Sequence, residues 1–466
     1  MLKKIYDNRK QIELICLEEL VPQDHLVRKL EYAINFNFIY DEVKDLYGGV
    51  GRGSIDPVSL IKIVLVQYMF GIRSMRQTIK EIEVNVAYRW FCGFGLTGSV
   101  PHFSTFGKNY VRRFKDNDIF EKIFNKILSE AIENGFVDTK AIYMDSTHIK
   151  ANANRKKKIE VYVKNETKNY QKTLEKEINE ERKNLGKKEF EDKDDDDDHK
   201  ITQSTTDPEA GEFHKGEHEK QFAYSAHTVC DTKGFVLGYE ITPANKHDSS
   251  VFSTLYQIML KKYNFDLIGL DAGYKTPAIA KEILESGKIP LMPYTRPKGK
   301  NKFEYNSYYD YFICPVGNIL EQTTINRLGY RQYTSNAEMC RECPNRRECL
   351  TNSQNKKTMF RHLWQRYIDE VNEIRHTDIW KRYYPKRSET IERVFGDAKE
   401  KHGMRYTQLR GRKKVSMQVI LTFSCMNLKK LANWKWRRDG KSSLKDRIIE
   451  KIQEIFTKIR IQLQIS

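Results

Sequence analysis

Apolar and polar positions along this chain change period several times, and each change marks a different kind of element. From Leu20 to Gly135 the spacing is helical. Asp56-Pro57 supplies an N-cap and a first-turn proline, an apolar run follows from Leu60 to Phe70, and Gly71 stops it. Ser74 starts a second helix, SMRQTIKEIEVNVAYRWF, and Ser104 a third, STFGKNYVRRF, whose Lys108, Arg112 and Arg113 are basic. Short helices ending on a basic one suit a helix-turn-helix that contacts DNA, or simply a basic surface helix. Asn117 to Asn134 forms an amphipathic helix closed by Gly135.

The period then becomes that of strands. Ala141 to Lys150, AIYMDSTHIK, is strand-forming, and Asp145 interrupts an otherwise apolar run. A buried acid costs free energy unless hydrogen bonds or a bound cation offset it. KQFAYSAHTVCD and GFVLGYEIT read as a hairpin turning at Asp231 to Gly234. A helix follows from Asp248 to Tyr263, then a strand LIGLD ending at Asp271, a helix from Lys275 to Ser286, and a strand IPLMP. Three strands, helix, strand, helix, strand predicts a ribonuclease-H-like (retroviral-integrase-like) α/β core with a mixed sheet. Ligands of such sheets gather at the carboxyl ends of strands, where Asp271 falls, with Asp145 toward the end of its own strand.

Two insertions interrupt this core. Lys156 to Glu219 is dominated by charge. Apolar residues at Val163, Tyr170, Leu174, Ile178 and Leu185 predict a long charged helix, and the acid run Asp194 to Asp198 predicts a disordered tip. That run lacks the alternating spacing and turn glycine of a calcium loop. Tyr294 to Arg387 reads as loop-rich and basic. Past Pro385, Ser388 caps a helix, SETIERVFGDAKEKHG, whose Ile391, Val394, Phe395 and Ala398 form one buried stripe. Glu392 and Lys399, two turns apart, share another face across Gly396; Glu389 is the rival acid one turn earlier. The resulting organisation is an N-terminal helical domain at 1–135, a core from 136–154, 220–293 and 388–430, insertions at 155–219 and 294–387, and an amphipathic tail at 431–466, with Leu444 to Ile465 a candidate interface.

Composition narrows the partners. In 466 residues, 81 Lys and Arg against 63 Asp and Glu leave a formal charge of +18, and aromatics reach 12%, which favours a polyanion. The charge concentrates: Lys381 to Lys414 holds twelve Lys and Arg against four acids, net +8. The N-terminus lacks the apolar core of a signal peptide, and no stretch is long and apolar enough for a membrane span, so a soluble, cytoplasmic protein is expected. Eight cysteines are then reduced thiols or metal ligands. Cys314, Cys340, Cys343 and Cys349 suit a structural zinc site, with buried thiols or an iron-sulfur cluster as alternatives. His148, His227 and His247 read as structural histidines. Trp364 and Trp380 suit either packing or stacking on a flipped base.

DSTHIKANAN, IGLDAGYKT and YPKRSETIERVFGDAKEKHGMRYTQLRG together resemble the three motifs of DDE-type transposases of bacterial insertion sequences, in the group with an N-terminal helical domain. The resemblance spans roughly Leu20 to Asn427 and takes in HFSTFGKNYVRRF, TPANKHDS and the cysteine-containing insertion. It implies a catalytic triad of Asp145, Asp271 and Glu392 holding two Mg²⁺ (or Mn²⁺) ions, which assist in-line displacement at phosphorus. It also implies cleavage at transposon ends and transfer of a 3′-hydroxyl into target DNA. The partners would be terminal inverted repeats and target duplex, bound by a homodimer. Tyr384, Arg387, Glu392 and Lys399 match a Tyr-x2-Arg-x3-Glu-x6-Lys signature, except that four residues separate Arg387 from Glu392 here. Arg387 and Lys399, with Tyr384, Arg405 and Arg410, are the candidate phosphate-binding residues. Two other readings share these residues: a ribonuclease-H-like nuclease that cuts without joining, and an inactive DNA-binding remnant.

Overall fold

The computed structural model describes residues 12, 14–48, 53–163, 170–191, 199–215, 219–294, 303–351 and 353–463, with side chains to 440 in the last stretch. The chain opens with eight helices: α1 (Leu17–Leu20), α2 (Leu26–Ala33), α3 (Phe38–Val43), α4 (Pro57–Met69), α5 (Met75–Val84), α6 (Val86–Cys92), α7 (Ser104–Asn109) and α8 (Ile119–Glu133). Helix α4 forms as its signals predict. Asp56 accepts the Ser59 N–H at 2.7 Å, Pro57 opens the first turn, and Gly71 leaves it at φ +64°. Ile61, Val64 and Leu65 are fully buried, so α4 is the axis of this bundle. The single helix expected from Ser74 to Phe91 is two. Asn85 is extended and its side chain accepts the Ala87 and Tyr88 N–H groups, ending α5 and capping α6. On the basic helix Lys108 and Arg112 are exposed, whereas Arg113 turns inward and donates to the Leu46 carbonyl.

Strand β1 (Ala141–Lys150) is the centre of an eight-stranded sheet completed by β2 (Lys158–Val163), β3 (His199–Ser204), β4 (Gly211–Lys215), β5 (Glu219–Asp231), β6 (Val236–Pro243), β7 (Leu267–Gly269) and β8 (Ile289–Leu291). Its heart runs β6-β5-β1-β7-β8: antiparallel through β5, then parallel from β1 to β7 and β8. Helices α10 (Asp248–Lys262) and α11 (Pro277–Glu285) make the crossovers, giving the ribonuclease-H-like order expected.

The charged insertion differs from expectation. Its helix exists as α9 (Gln171–Asn184), burying Leu174 and Ile178, but Val163 belongs to β2, and β2, β3 and β4 are strands that extend the sheet. Alternation at Ile159 and Val161 carries that signal, and flanking charge obscures it. The acid run Asp194–Asp198 lies outside the described residues. Both β4 and β6 pair with one edge of β5, β4 along Glu219–Ala223 and β6 along Tyr224–Cys230. They meet end to end at Gly211, where a Cβ would stand 2.3 Å from Asn245 Oδ1 and 2.6 Å from the Ala244 nitrogen.

The second insertion is also more ordered than its composition predicts. Strands β9 (Glu304–Asn306), β10 (Tyr311–Ile313), β11 (Ile319–Ile325), β12 (Tyr330–Thr334) and β13 (Thr358–His362) form an antiparallel meander in sequence order. Between β12 and β13 lie α12 (Ala337–Arg341) and α13 (Arg346–Cys349), and α14 (Gln365–Ile374) and α15 (Asp378–Tyr383) lead back to the core. Trp364 is buried with its Nε1 donating to Glu177; Trp380 stacks on Tyr384 and donates to the Met292 carbonyl. Packing accounts for both indoles.

Helix α16 (Arg393–Lys401) follows a π-helical turn at Ser388–Glu392, and the last helix, α17 (Arg412–Leu463), is continuous through the boundary expected near 430. Its Val415, Val419, Phe423 and Leu428 are fully buried where it packs on α2, α4, α8 and β6. Buried Asn427 acts there as a strand substitute, accepting the Val236 N–H at 2.9 Å and donating to the Val236 carbonyl at 2.8 Å. Among the described residues no helix is long and apolar enough to cross a membrane.

Candidate active site

Register brings the first two acids together. Tyr143 of β1 pairs with Gly269 of parallel β7, so Asp145 and Asp271, each two residues further, stand at the same level beyond the end of β7. Gly269 is required for this closeness: a Cβ there would meet the Tyr143 ring at 2.5 Å. The Tyr143 hydroxyl in turn donates to the Tyr383 carbonyl at 2.9 Å, tying β1 to the segment that carries the third acid.

That segment does not begin at Ser388 as expected. Arg387 already has helical angles, and Ser388 donates its hydroxyl to the Pro385 carbonyl at 3.0 Å instead of capping. The turn from Ser388 to Glu392 is π-helical, one residue longer than an α-turn. It thereby absorbs the extra residue between Arg387 and Glu392 and leaves both on one side of the helix, Arg387 Nη1 lying 3.6 Å from Glu392 Oε1.

All three candidate acids converge on that one guanidinium. Arg387 Nη2 is 2.5 Å from Asp145 Oδ2 and 4.0 Å from Asp271 Oδ1. The side chains of Arg387 and Asp145 are 9% and 17% exposed, those of Asp271 and Glu392 53% and 59%, so one acid is internal and two face solvent. Burial pushes the Asp145 carboxyl up to about 6; Arg387 and the Ser146 N–H, 2.8 Å from Oδ1, oppose the rise, and Asp271 and Asp248 add to it. Arg387 Nε and the Tyr274 hydroxyl are buried without hydrogen-bond partners among the described residues. Arg387, expected to contact phosphate, here faces the three acids.

Asp248, which the sequence marks only as a helix start within TPANKHDS, stands beside the acids' strand. Its carboxylate lies 3.5 Å from Nδ1 of fully buried His227, whose Nε2 pairs with Thr242 at 2.9 Å; burial holds this imidazole down at about 4, hence neutral. His227 pairs in register with Ser146, beside Asp145. His247 caps α10 and His148 pairs with Ser225, so all three histidines have structural partners.

Among the other candidates, Tyr384 stacks on Trp380, and Lys399 is partly buried two turns beyond Glu392. The segment bearing Arg405 and Arg410 runs beside the end of β1: Lys150 donates to the Arg405 carbonyl and Thr407 to the Lys150 carbonyl. Both arginines are exposed, Arg405 paired with Glu400 and Arg410 donating to the Asn152 carbonyl at 3.1 Å.

Cys314, Cys340, Cys343 and Cys349 line one cavity of about 30 Å³. All are free thiols. The Asn318 N–H donates to Cys314 Sγ at 3.3 Å, and Ser335 Oγ lies 3.0 Å from Cys340 Sγ. Burial pushes the Cys349 thiol up, with Lys357 opposing and the other three sulfurs adding. Among the described residues no three His, Cys, Asp or Glu side chains already stand in ligand geometry about one point. The fit of a metal therefore rests on donor chemistry: three hard carboxylates around one cation in the core, four soft thiols around one cavity in the insertion.

Two family models match the chain. Residues 15–112 match the family described as Transposase domain (DUF772), and residues 313–432 match that described as Transposase DDE domain. The second includes the four cysteines and Glu392. No curated protein matches. A solved piggyBac transposase synaptic complex with hairpin DNA is similar at 8% identity, with a TM-score of 0.34 over 89% of this chain and 76% of that one.

Proposed function

This chain belongs to the DDE-type transposases of insertion sequences, and we propose that it hydrolyses DNA at the ends of its element and joins the freed 3′-hydroxyl to target duplex, in a bacterial cytoplasm. The observation that carries this reading is the convergence of Asp145, Asp271 and Glu392 on one guanidinium. Three carboxylates so placed suit divalent cations, Mg²⁺ or Mn²⁺, which when bound would activate the attacking oxygen and stabilise the leaving one.

The chain's own residues do the positioning. Asp145, fixed on the central strand and held by the Ser146 N–H, would be the ligand common to two ions, with exposed Asp271 and Glu392 serving one each. The scissile phosphate would enter from their solvent side. Arg387, once released from the acids, and Lys399 would hold its oxygens, while Tyr384, Arg405 and Arg410 would contact neighbouring phosphates. In the first step water adds to phosphorus and the 3′-oxygen departs with a proton; in the second that 3′-hydroxyl loses its proton and bonds to a target phosphorus while the target strand's own 3′-oxygen leaves and takes one up, so one site would serve both displacements. Pairing two ends calls for a homodimer. The four thiols of the insertion would hold one structural zinc.

The deciding experiment incubates labelled terminal-repeat duplex and target DNA with Mg²⁺, comparing wild type with Glu392→Gln. Joined products from wild type and none from the variant are expected. Cleavage without joining would make this a nuclease, and undiminished activity of the variant would remove Glu392 from the site.

A further inference from the structure

A second polar concavity lies on the neighbouring face of α16, outside the triad. It has a volume of about 680 Å³ and is bounded by the β5–β6 turn, the π-turn with α16, and the middle of α17. Seven cationic side chains line it against two carboxylates, Glu389 and Asp397, and Asp397 is already paired with Lys401 at 2.7 Å. Lys386, Arg393 and Lys401 form one wall, Lys429 and Arg437 the other, and Lys233 the end. Lys386, Arg393, Lys401 and Arg437 are exposed. Lys430 is withdrawn, donating to the Lys233 carbonyl at 2.7 Å beneath Gly234, so the floor is built rather than a loose surface of lysines.

We propose that this groove is a track for the phosphodiester backbone of duplex DNA, binding the duplex beside the phosphate that reaches Glu392. The proposal rests on the reading above for the identity of the polyanion; the track itself rests on geometry. Lys386 to Lys401 spans roughly 20 Å along the helix, the axial rise of about six base pairs. Arg393 directly follows Glu392 in sequence, so a backbone lying on this wall arrives next to the triad. Cations along a line, without a pocket for one compact anion, select an extended polyanion and read no base sequence.

The test is the salt dependence of binding to a labelled duplex of mixed sequence. Neutralising Arg393, Lys401 and Arg437 to Gln should make the slope of log K against log salt shallower by about 3. A control neutralising Lys172, Lys261 and Lys262, exposed cations elsewhere, changes net charge equally and should shift the slope by less than about 1. Equal effects in the two variants, or none in either, overturn the track. Should the triple variant fail to fold, Arg437→Glu on the exposed side of α17 gives the same comparison. A wild type that cleaves DNA while the groove variant keeps its slope sinks the track alone; a wild type that binds no DNA sinks both readings.

Discussion

Arg387 Nη2 lies 2.5 Å from Asp145 Oδ2, and the same guanidinium faces Asp271 and Glu392. A guanidinium in that place and a divalent ion held by the same carboxylates are alternatives. Arg387→Gln should therefore raise the affinity of the DNA-free protein for Mn²⁺ by about tenfold, roughly 1.4 kcal/mol, while lowering DNA cleavage because a phosphate contact is lost. Titration calorimetry with Mn²⁺ reads the first effect. Unchanged or weaker binding would mean that Arg387 assists the ion and does not compete with it.

The π-helical turn offers a test by deletion. An extra residue in a π-turn leaves the helix phased alike on both sides, so removing exposed Glu389 should restore an α-turn, keep Arg387 facing Glu392, and retain most cleavage. Removing Gly396 instead rotates everything beyond it by about 100°, carrying Lys399 off the Glu392 face and Ala398 out of its buried stripe. That variant should lose activity and melt lower. Similar losses from both deletions would show that the π-turn itself is needed.

The parts of the fold and site that are legible in the sequence are those whose signals are local. Asp271 could be read because an acid just past a strand end stands out against Ile268 and Leu270; Asp145 interrupts Ile142 and Met144 in the same way, but it stands in the middle of β1, not toward its end, because pairing with β5 carries the strand on to Lys150. The strands β2 and β3 were not legible, because Ile159 and Val161 alternate within dense charge, and their pairing with a sheet distant in sequence is a tertiary matter. The irregular Arg387 spacing was visible as a departure, but its resolution needs backbone geometry. Asp248 was missed since its relation to His227 joins a strand to a helix start twenty-one residues later.

Gly269 and Tyr143 should behave as a coupled pair. Gly269→Ala places a methyl group against the Tyr143 ring and should cost about 1–3 kcal/mol, because the ring is fully buried and held at Tyr383. In a Tyr143→Leu background the same substitution should cost less by about 1 kcal/mol. Denaturant unfolding of the four proteins measures this, and strict additivity would contradict the contact.

Asp231 predicts a pH dependence. Its fully buried carboxyl is pushed up to about 6 by burial, against the backbone N–H groups of Asp138, Lys233 and Phe235 and against Lys430. An acid with its folded pKa above the unfolded 3.8 penalises the fold as pH rises through that interval. Below it both states carry the proton; above it the penalty reaches about 3 kcal/mol. Asp231→Asn removes the titration, so the wild type's stability advantage over the variant should shrink by that order between pH 4 and 7. A constant difference would refute the shift.

The cysteine cavity makes the last prediction. Cys314 closes β10, Cys340 and Cys343 come from α12 and the turn after it, and Cys349 ends α13, so four separate backbone positions deliver sulfur to one space of about 30 Å³. The Asn318 N–H donates to Cys314 Sγ at 3.3 Å, fixing that sulfur at the cavity wall. A zinc ion drawing the sulfurs to about 2.3 Å would stabilise the folded insertion in proportion to its binding. Elemental analysis of the purified protein should find about one zinc per chain. Cys343→Ser should abolish it and lower the thermal midpoint by about 5 °C or more. A zinc-free protein whose midpoint is untouched by Cys343→Ser would identify the four as ordinary reduced thiols.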